Sequence, residues 1–172
     1  MLFRSRRRFL ELLKTEGVPL IDGIRPLLHR LAAAGFKLAL ASSAPHEQID
    51  AVMEIGALAP FFPVRVSGDD VPMSKPHPEI FLRAAAALRA RPEHCWVIED
   101  SEAGVLAAER AGMRCIALLS AASAPGPADP SSPFAAPGPA DPSAPPPQNL
   151  NRALHIVPAL AQAGEIIIES QT

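Results

Sequence analysis

Hydrophobic and polar positions follow two alternating periods along the first 119 residues of the chain. Apolar residues at helical spacing predict five helices, over residues 4–15, 24–33, 45–55, 78–90 and 102–111. Short apolar runs between them predict four strands, over residues 36–41, 62–66, 95–98 and 114–119. Because strands and helices alternate, the pattern predicts an α/β fold with a parallel sheet and helices on both faces.

Small and polar residues mark the ends of these elements. Gly35, Gly56 and Gly112 each follow a predicted helix, in the position that favours its termination. Ser42 and Ser43 precede Pro45, so we expect a serine hydroxyl to cap the next helix while the proline occupies its first turn. In open parallel sheets a ligand lies beyond the carboxyl ends of the strands, where this pattern places Ser42 and Asp100.

Residues 121–148 interrupt the alternation. They hold ten of the chain's twenty prolines, and the octet Ala-Pro-Gly-Pro-Ala-Asp-Pro-Ser occurs at 124–131 and again at 136–143. Such low-complexity sequence cannot form a core, and we predict a Pro/Ala-rich, extended and mobile insert over 121–150. A proline-rich ligand for an adaptor domain is the alternative, although no basic residue accompanies the prolines to fix an orientation. After the insert we expect a strand over 153–157 and a short helix over 158–163.

Composition and charge exclude several classes of function. The chain has 172 residues, 48% of them hydrophobic, which suffices for one compact domain with a core. A formal net charge of -2 gives no electrostatic reason to expect binding to nucleic acid or to an anionic membrane. No apolar run reaches the roughly 18 residues of a membrane span, so we expect a soluble, cytoplasmic protein. Cys95 and Cys115 form no Cys-x-x-Cys pair and are expected to be reduced, buried thiols.

The start of the chain leaves two alternatives. Four arginines lie within Arg4–Arg8, as in an organelle-targeting peptide, but the leucines that follow continue the segment as an ordinary amphipathic helix. We favour the helix and keep targeting as the alternative.

Three groups of polar residues are candidates for chemistry. Glu99 and Asp100 follow an apolar strand, and adjacent carboxylates there suit Mg²⁺, although a solvated turn that caps the next helix would use the same residues. Lys75 precedes a helix and is either a ligand of a phosphoryl group or one more surface lysine. Ser42 offers a hydroxyl and backbone amides at a helix start, which form either an anion site or a plain helix cap.

The order and spacing of these groups resemble a known family. Residues 38–43 (Leu-Ala-Leu-Ala-Ser-Ser), 74–78 (Ser-Lys-Pro-His-Pro) and 96–101 (Trp-Val-Ile-Glu-Asp-Ser) are similar to the second, third and fourth motifs of the haloacid-dehalogenase (HAD) superfamily of phosphohydrolases. The similarity is greatest to the branch that contains beta-phosphoglucomutase and phosphoglycolate phosphatase, and it covers about residues 9–119. Segments 66–71, 75–81 and 99–113 are similar to that branch nearly residue for residue.

The resemblance implies a Rossmann-like core and Mg²⁺-dependent phosphoryl transfer on a small phosphorylated metabolite, by a phosphatase or a phosphomutase. It implies that Ser42 and Ser43 bind the phosphoryl oxygens and that Lys75 holds the nucleophile and the phosphate together. Glu99 and Asp100 would coordinate or orient Mg²⁺, and Ser42 and Lys75 would be catalytic. By the same resemblance, the domains are a remnant of a helical cap (1–18), the HAD-like core (19–120), the insert (121–150) and the last strand and helix of the core (151–172).

One motif of the family is missing. The family begins with Asp-x-Asp-x-Thr at the end of its first strand, where the first Asp is the nucleophile, and no Asp-x-Asp occurs in this chain. Asp22 is the nearest imitation, but Ile24 stands where the second carboxylate belongs, so we predict that Asp22 is a helix cap. No nucleophile is assigned, and we expect this chain alone to bind phosphate and metal weakly without turnover.

The missing strand has a structural consequence. In the family it is central and lies between the strands that here end at Ser42 and Ile98, so we expect two unpaired strand edges. The branched run 165–169 has strand propensity and is predicted either to fill that position or to form an edge strand or frayed tail. A protein partner that completes the sheet is a further expectation.

Three hypotheses about function follow. The chain is the carboxyl-terminal part of a sugar-phosphate phosphatase or phosphomutase whose start lies upstream, which we favour. It is otherwise a non-catalytic relative that binds a phosphorylated ligand or a protein. In the third hypothesis it is an ordinary α/β domain in which every named residue is structural.

Overall fold

A computed structural model of the chain describes residues 2–118, 155–157 and 160–170. Its helices are α1 (Leu2–Glu16), α2 (Ile24–Ala33), α3 (His46–Ile55), α4 (Glu79–Leu88), α5 (Glu102–Arg110) and α6 (Leu160–Glu169). Its strands are β1 (Ala39–Ser42), β2 (Val64–Ser67), β3 (Trp96–Glu99), β4 (Arg114–Leu118) and β5 (His155–Val157). The alternation of parallel strands and helices confirms the predicted α/β fold class.

The described strands are parallel and form two groups. β1 pairs with β2, from Ala39 opposite Val64 to Ser42 opposite Ser67. β3, β4 and β5 pair in that order. Within the described part of the chain no hydrogen-bonded strand connects β1 with β3. Among the described strands, β1 and β3 thus each have one edge without a partner, where the sequence leads us to expect open edges.

The two groups of strands share their helical layers. Side chains alternate between the faces of a strand, so Val97 and Ile98 of β3 point to opposite layers. On the face of Val97, strands of both groups pack against α4 and α5, through Ala39, Ala41, Val66, Cys115, Ala117, Ile80 and Val105. On the face of Ile98, β3, β4 and the residue before β1 pack against α2 and α6, through Trp96, Ile116, Leu118, Leu38, Leu27, Leu31 and Ile167. Shared apolar layers thus hold the two groups together in one core.

Two predictions about local structure are corrected. The first predicted strand, residues 36–41, was expected to be buried, but β1 covers Ala39–Ser42 and is only half-buried, because one of its edges carries no described strand. Asp22 does not cap α2. The capping position belongs to Gly23, whose φ of 85° no branched residue adopts readily, and no side chain caps the helix.

The prediction for the end of the chain is also wrong. Residues 165–169 form neither a central strand, an edge strand nor a frayed tail, since they continue α6, which was expected to end at residue 163. Ala163 and Ile167 lie four residues apart and are both buried, as helical packing against α2 requires. Gly164 allows this approach, because a Cβ there would lie 2.7 Å from the side chain of Leu27.

The predicted insert at 121–150 lies outside the described residues. The cap remnant over 1–18 stays a prediction, although the helix found there, α1, packs against α3. Among the described helices, none is both long and apolar enough to cross a membrane.

Candidate active site

Three strands end in polar residues at the same edge of the fold. β1 ends at Ser42, β2 at Ser67 and β3 at Glu99. Because β1 pairs with β2 in parallel and both groups of strands share their helical layers, these carboxyl ends open toward one region. The loops that follow them carry the residues that the sequence marks as candidates.

Lys75 and Glu99 form an ion pair at this edge. Lys75 Nζ lies 2.6 Å from Glu99 Oε2, and the two side chains are only 12% and 10% exposed. The same ammonium group lies 5.1 Å from the ring centroid of Phe81 on α4. Lys75 is therefore not a surface lysine, and its charge is held against the end of β3.

The other oxygen of Glu99 is held by the start of α5. Oε1 accepts a hydrogen bond of 2.9 Å from the hydroxyl of Ser101 and longer ones from the amides of Asp100 and Ser101. Burial by itself raises the pKa of the Glu99 carboxyl, but the charge and hydrogen bond of Lys75, together with Ser101, hold that pKa below its usual value. Glu99 is therefore ionised over the whole neutral range.

Asp100 has the opposite electrostatics. Partial desolvation raises the pKa of its carboxyl, as do its hydrogen bond to Glu99 and the negative charge of that neighbour. The two adjacent carboxyl groups thus differ, since the pKa of Asp100 is raised and that of Glu99 is lowered.

A glycine makes room for the buried carboxylate. Gly104 lies in the first turn of α5, and its amide donates to the capping hydroxyl of Ser101 at 3.1 Å. A Cβ at position 104 would overlap the carboxylate of Glu99. In the sequence, Gly104 stands out only as part of a matched segment. A further signal is its place inside a predicted helix, where glycine costs about 1 kcal/mol relative to alanine and is kept when close packing requires it.

The loop of Lys75 is fixed from α5. Arg110, in the last turn of that helix, donates to the carbonyl oxygen of Pro76 at 3.0 Å. Within the loop, the amide of His77 donates to the carbonyl of Ser74 at 3.0 Å. No local pattern in the sequence indicates this role of Arg110, because it lies 34 positions from the residue that it contacts.

Ser42 and Ser43 lie at the same edge but bond differently from the prediction. The capping position of α3 is Pro45, and no side chain caps that helix, so the expected serine cap is wrong. Ser42 instead accepts a 3.2 Å hydrogen bond from the amide of Ala44, while Ser43 is exposed. No direct hydrogen bond joins Ser42 to Lys75 or Glu99, all three of which are described residues.

The donor set fits a magnesium ion only in part. Among the described residues no group of three or more His, Cys, Asp or Glu side chains is arranged to hold a metal. Mg²⁺ in phosphoryl-transfer enzymes, however, is usually held by one or two carboxylates, and waters and substrate phosphate complete the coordination. Asp100 and Glu99 supply two such carboxyl groups, of which Asp100 is the more exposed, so the residues present fit a Mg²⁺ ion whose coordination water and substrate oxygens complete.

Comparisons with known proteins establish the family. A family model described as haloacid dehalogenase-like hydrolase matches residues 3–112, well over half of the chain. The chain belongs to this hydrolase family. The family predicted from the three motifs is thereby confirmed, and HAD-like hydrolases generally use Mg²⁺.

Individual HAD-like relatives agree with the predicted branch. Hexitol phosphatase B of Escherichia coli is 33% identical over 119 residues, which cover 65% of this chain and 54% of that protein. A protein from Thermotoga maritima assigned as a beta-phosphoglucomutase superposes with a TM-score of 0.65 at 27% identity, over 88% of this chain and 59% of that one. A CbbY variant from Rhodobacter sphaeroides, in complex with xylulose-1,5-bisphosphate, gives a TM-score of 0.70 at 27% identity, over 92% and 64%. This chain spans about half the length of the curated relatives that it matches.

Proposed function

We propose that the chain carries the phosphoryl-binding and metal-binding groups of a Mg²⁺-dependent phosphatase or phosphomutase that acts on a small phosphorylated metabolite. The observation that carries the proposal is the buried ion pair of Lys75 and Glu99, at 2.6 Å, directly beside Asp100. A buried lysine and two adjacent carboxyl groups, one of which has a raised pKa, are characteristic of a functional site. The names of relatives support the substrate class, since they include a hexitol phosphatase and a protein with a bound sugar bisphosphate.

Ser42 and Lys75 are the groups that would bind the phosphoryl group. The amide of Ala44 donates to Ser42 Oγ, so the hydroxyl hydrogen is left to donate to a phosphoryl oxygen. The exposed hydroxyl of Ser43 adds a second donor next to it. The ammonium of Lys75 has three donors, of which the described contacts with Glu99 use one, and it neutralises charge on the transferred group.

Asp100 and Glu99 would hold Mg²⁺, which when bound supplies positive charge against the phosphoryl oxygens. Glu99 is fixed by Lys75 and Ser101, and thereby orients the turn that presents Asp100. Bound Mg²⁺ would favour the ionised form of Asp100, opposing the burial and the Glu99 charge that raise the pKa of this carboxyl.

The attacking carboxylate would come from outside the 172 residues, since the sequence contains no Asp-x-Asp. The open edges of β1 and β3 flank the position where a further parallel strand would place such a carboxylate, next to Ser42 and Glu99. We therefore infer that this chain by itself binds phosphate and Mg²⁺ without turning a substrate over.

Calorimetric titration of the chain with inorganic phosphate, with and without Mg²⁺, tests the binding groups. We expect weak binding that strengthens with Mg²⁺, that is lost in Lys75→Met, and that loses its Mg²⁺ dependence in Asp100→Asn. Lys37→Met is the matched control, because Lys37 is exposed and bonds only the carbonyl of Leu88 in the described structure. Equal affinity in Lys75→Met and in the parent chain would contradict the proposal.

A second experiment tests turnover. The chain is extended at its amino terminus by a strand with Asp-x-Asp-x-Thr and is assayed for phosphate release from a panel of phosphomonoesters. We expect Mg²⁺-dependent release, and none when the first Asp is replaced by Asn. The intact mass and amino-terminal peptide of the native protein show whether such a segment precedes Met1.

The absence of Asp-x-Asp favours a second candidate, a non-catalytic module that binds a phosphorylated ligand or a protein. Its prediction differs at one point: an extended chain that folds and binds phosphate would still release none from any ester on the panel. That result would move the assignment from enzyme to binding module.

A further inference from the structure

The loop after β2 contacts the loop after β1 through a buried hydroxyl. Ser67, the last residue of β2, is 0% exposed. Among the described residues it is the one polar residue that is fully buried. Its Oγ donates to the carbonyl oxygen of Ala44 at 2.7 Å, and the amide of Gly68 donates to the same oxygen at 3.2 Å. The contact leaves no room for a side chain at 68, where a Cβ would lie 2.5 Å from the carbonyl oxygen of Ser43.

Two carboxylates extend this contact to the start of α3. The amide of His46 donates to Asp69 Oδ2 at 3.2 Å, and His46 Nε2 lies 2.8 Å from Asp70 Oδ1. The other oxygen of Asp70 accepts from the amide of Ser67 at 2.8 Å. We call residues 67–70, with these four bonds to Ala44 and His46, the clamp.

The clamp does more than its local structure requires. A capping box for the short turn at Gly68–Asp70 needs only the bonds from Asp69 to Ser67 and from Ser67 to Asp70. The bonds that link Ser67 Oγ to Ala44, and Asp69 and Asp70 to His46, are not part of that box, and they join two segments 23 or 24 positions apart. They fix Ala44 through its carbonyl, while its amide donates to the hydroxyl of Ser42.

Building on the proposed function, we propose that Ser67, Asp70 and His46 are positioning residues for the phosphoryl-binding loop at Ser42–Ala44. We assign none of them a contact with the phosphoryl group itself. They hold Ala44 so that its amide donates to Ser42 Oγ. The hydroxyl hydrogen of Ser42 is then available to donate to the ligand.

The clamp is sensitive to pH through one histidine. His46 faces Asp70 and Asp69 from the clamp and Asp50 from its own helix, and Asp70 also feels the charge of Arg83 on α4. The hydrogen bond to Asp70 raises the pKa of His46 and lowers that of Asp70. The ionic form of the clamp is therefore lost as pH rises through the pKa of His46, and phosphoryl binding is expected to weaken in the same range.

The test uses the full chain with Mg²⁺ and two probes, inorganic phosphate at one pH and sulfate across the range in which His46 titrates, where sulfate keeps its charge. We expect Ser67→Ala to weaken phosphate binding about tenfold, which is the change in affinity that the loss of one hydrogen bond produces. His46→Gln keeps a neutral donor and is expected to abolish the pH dependence of sulfate affinity. His94→Gln, on an exposed turn, is the control, and its sulfate affinity should depend on pH as that of the parent chain does.

The outcomes separate this proposal from the proposed function. If Lys75→Met abolishes binding while Ser67→Ala and His46→Gln keep the parent affinity and pH profile, the positioning role is overturned and the binding site stands. If Lys75→Met and Ser42→Ala both bind phosphate like the parent chain, both proposals are overturned. If Ser67→Ala does not fold, the His46→Gln variant decides whether the positioning role stands, because His46 is exposed. A purely structural role of His46 would leave the pH dependence of sulfate affinity as in the parent chain.

Discussion

Gly104 lies against the carboxylate of Glu99, and its missing side chain is what admits that carboxylate to the start of α5. A Cβ at 104 would overlap the terminal carbon and Oε2 of Glu99, the oxygen that Lys75 binds. The ion pair of the site thus depends on a residue that bears no functional group.

Gly104→Ala is expected to destabilise the protein by about 2 kcal/mol, because the Glu99 side chain must leave its place. The sign of the change in unfolding free energy distinguishes this site, since glycine to alanine inside an ordinary helix stabilises the protein by up to about 1 kcal/mol. Urea unfolding measures the difference, with Glu102→Ala in the same turn as control, which should change stability by less than about 0.5 kcal/mol. A more stable Gly104→Ala variant would show that Glu99 does not occupy this space.

Lys75→Met is expected to cost about 3 kcal/mol, because it leaves the Glu99 carboxylate buried without its partner. Adding Glu99→Gln removes the orphaned charge and should recover most of the loss, as a double-mutant cycle in chemical unfolding would measure. The control is Arg83→Met in the more exposed pair with Glu79, expected to cost less than about 0.5 kcal/mol. Similar losses of stability in Lys75→Met and Arg83→Met would count against a buried pair of Lys75 and Glu99.

The His46–Asp70 pair gives stability a defined pH dependence. The pKa of His46 is raised, so its contribution is full below the ordinary pKa of histidine and is lost as pH rises through the folded-state pKa. The pKa of Asp70 is lowered, so its contribution is present above its ordinary pKa and is lost as pH falls through the folded-state pKa. The thermal midpoints of the parent chain and His46→Gln should therefore differ most in weakly acidic solution and converge as pH rises above the folded-state pKa of His46. A difference that grows with pH would refute the pair.

Cys115 is expected to resist alkylation in the folded protein. Burial, with a smaller effect of Glu99, raises the pKa of its thiol to about 12, so almost no thiolate exists at neutral pH. Cys95 is half-buried, and burial raises its pKa as well, so it should react slowly but before Cys115. Peptide mapping after iodoacetamide treatment of native and urea-unfolded protein gives both rates. Equal native rates would place Cys115 outside the core.

The elements that the sequence predicted well are those with local signals. α2 has the predicted bounds, Ile24–Ala33, and Gly35 after it has a φ of 82°. α5 begins at the predicted residue, because Ser101 caps it. The three motif segments identified the family because their residue types and spacing belong to the chain itself. Residues 165–169 were predicted wrongly, since a branched run favours a strand until packing against α2 makes it a helix.

The sequence by itself determined the alternation of elements, the family and the residues at the ends of the strands, because each of these depends on neighbours a few positions apart. Only the tertiary structure decided which of those residues meet. Lys75 and Glu99 are 24 positions apart, and so are His46 and Asp70. Their contacts exist because parallel strands bring their carboxyl ends to one edge, and a pattern of local periodicity contains no information about that approach.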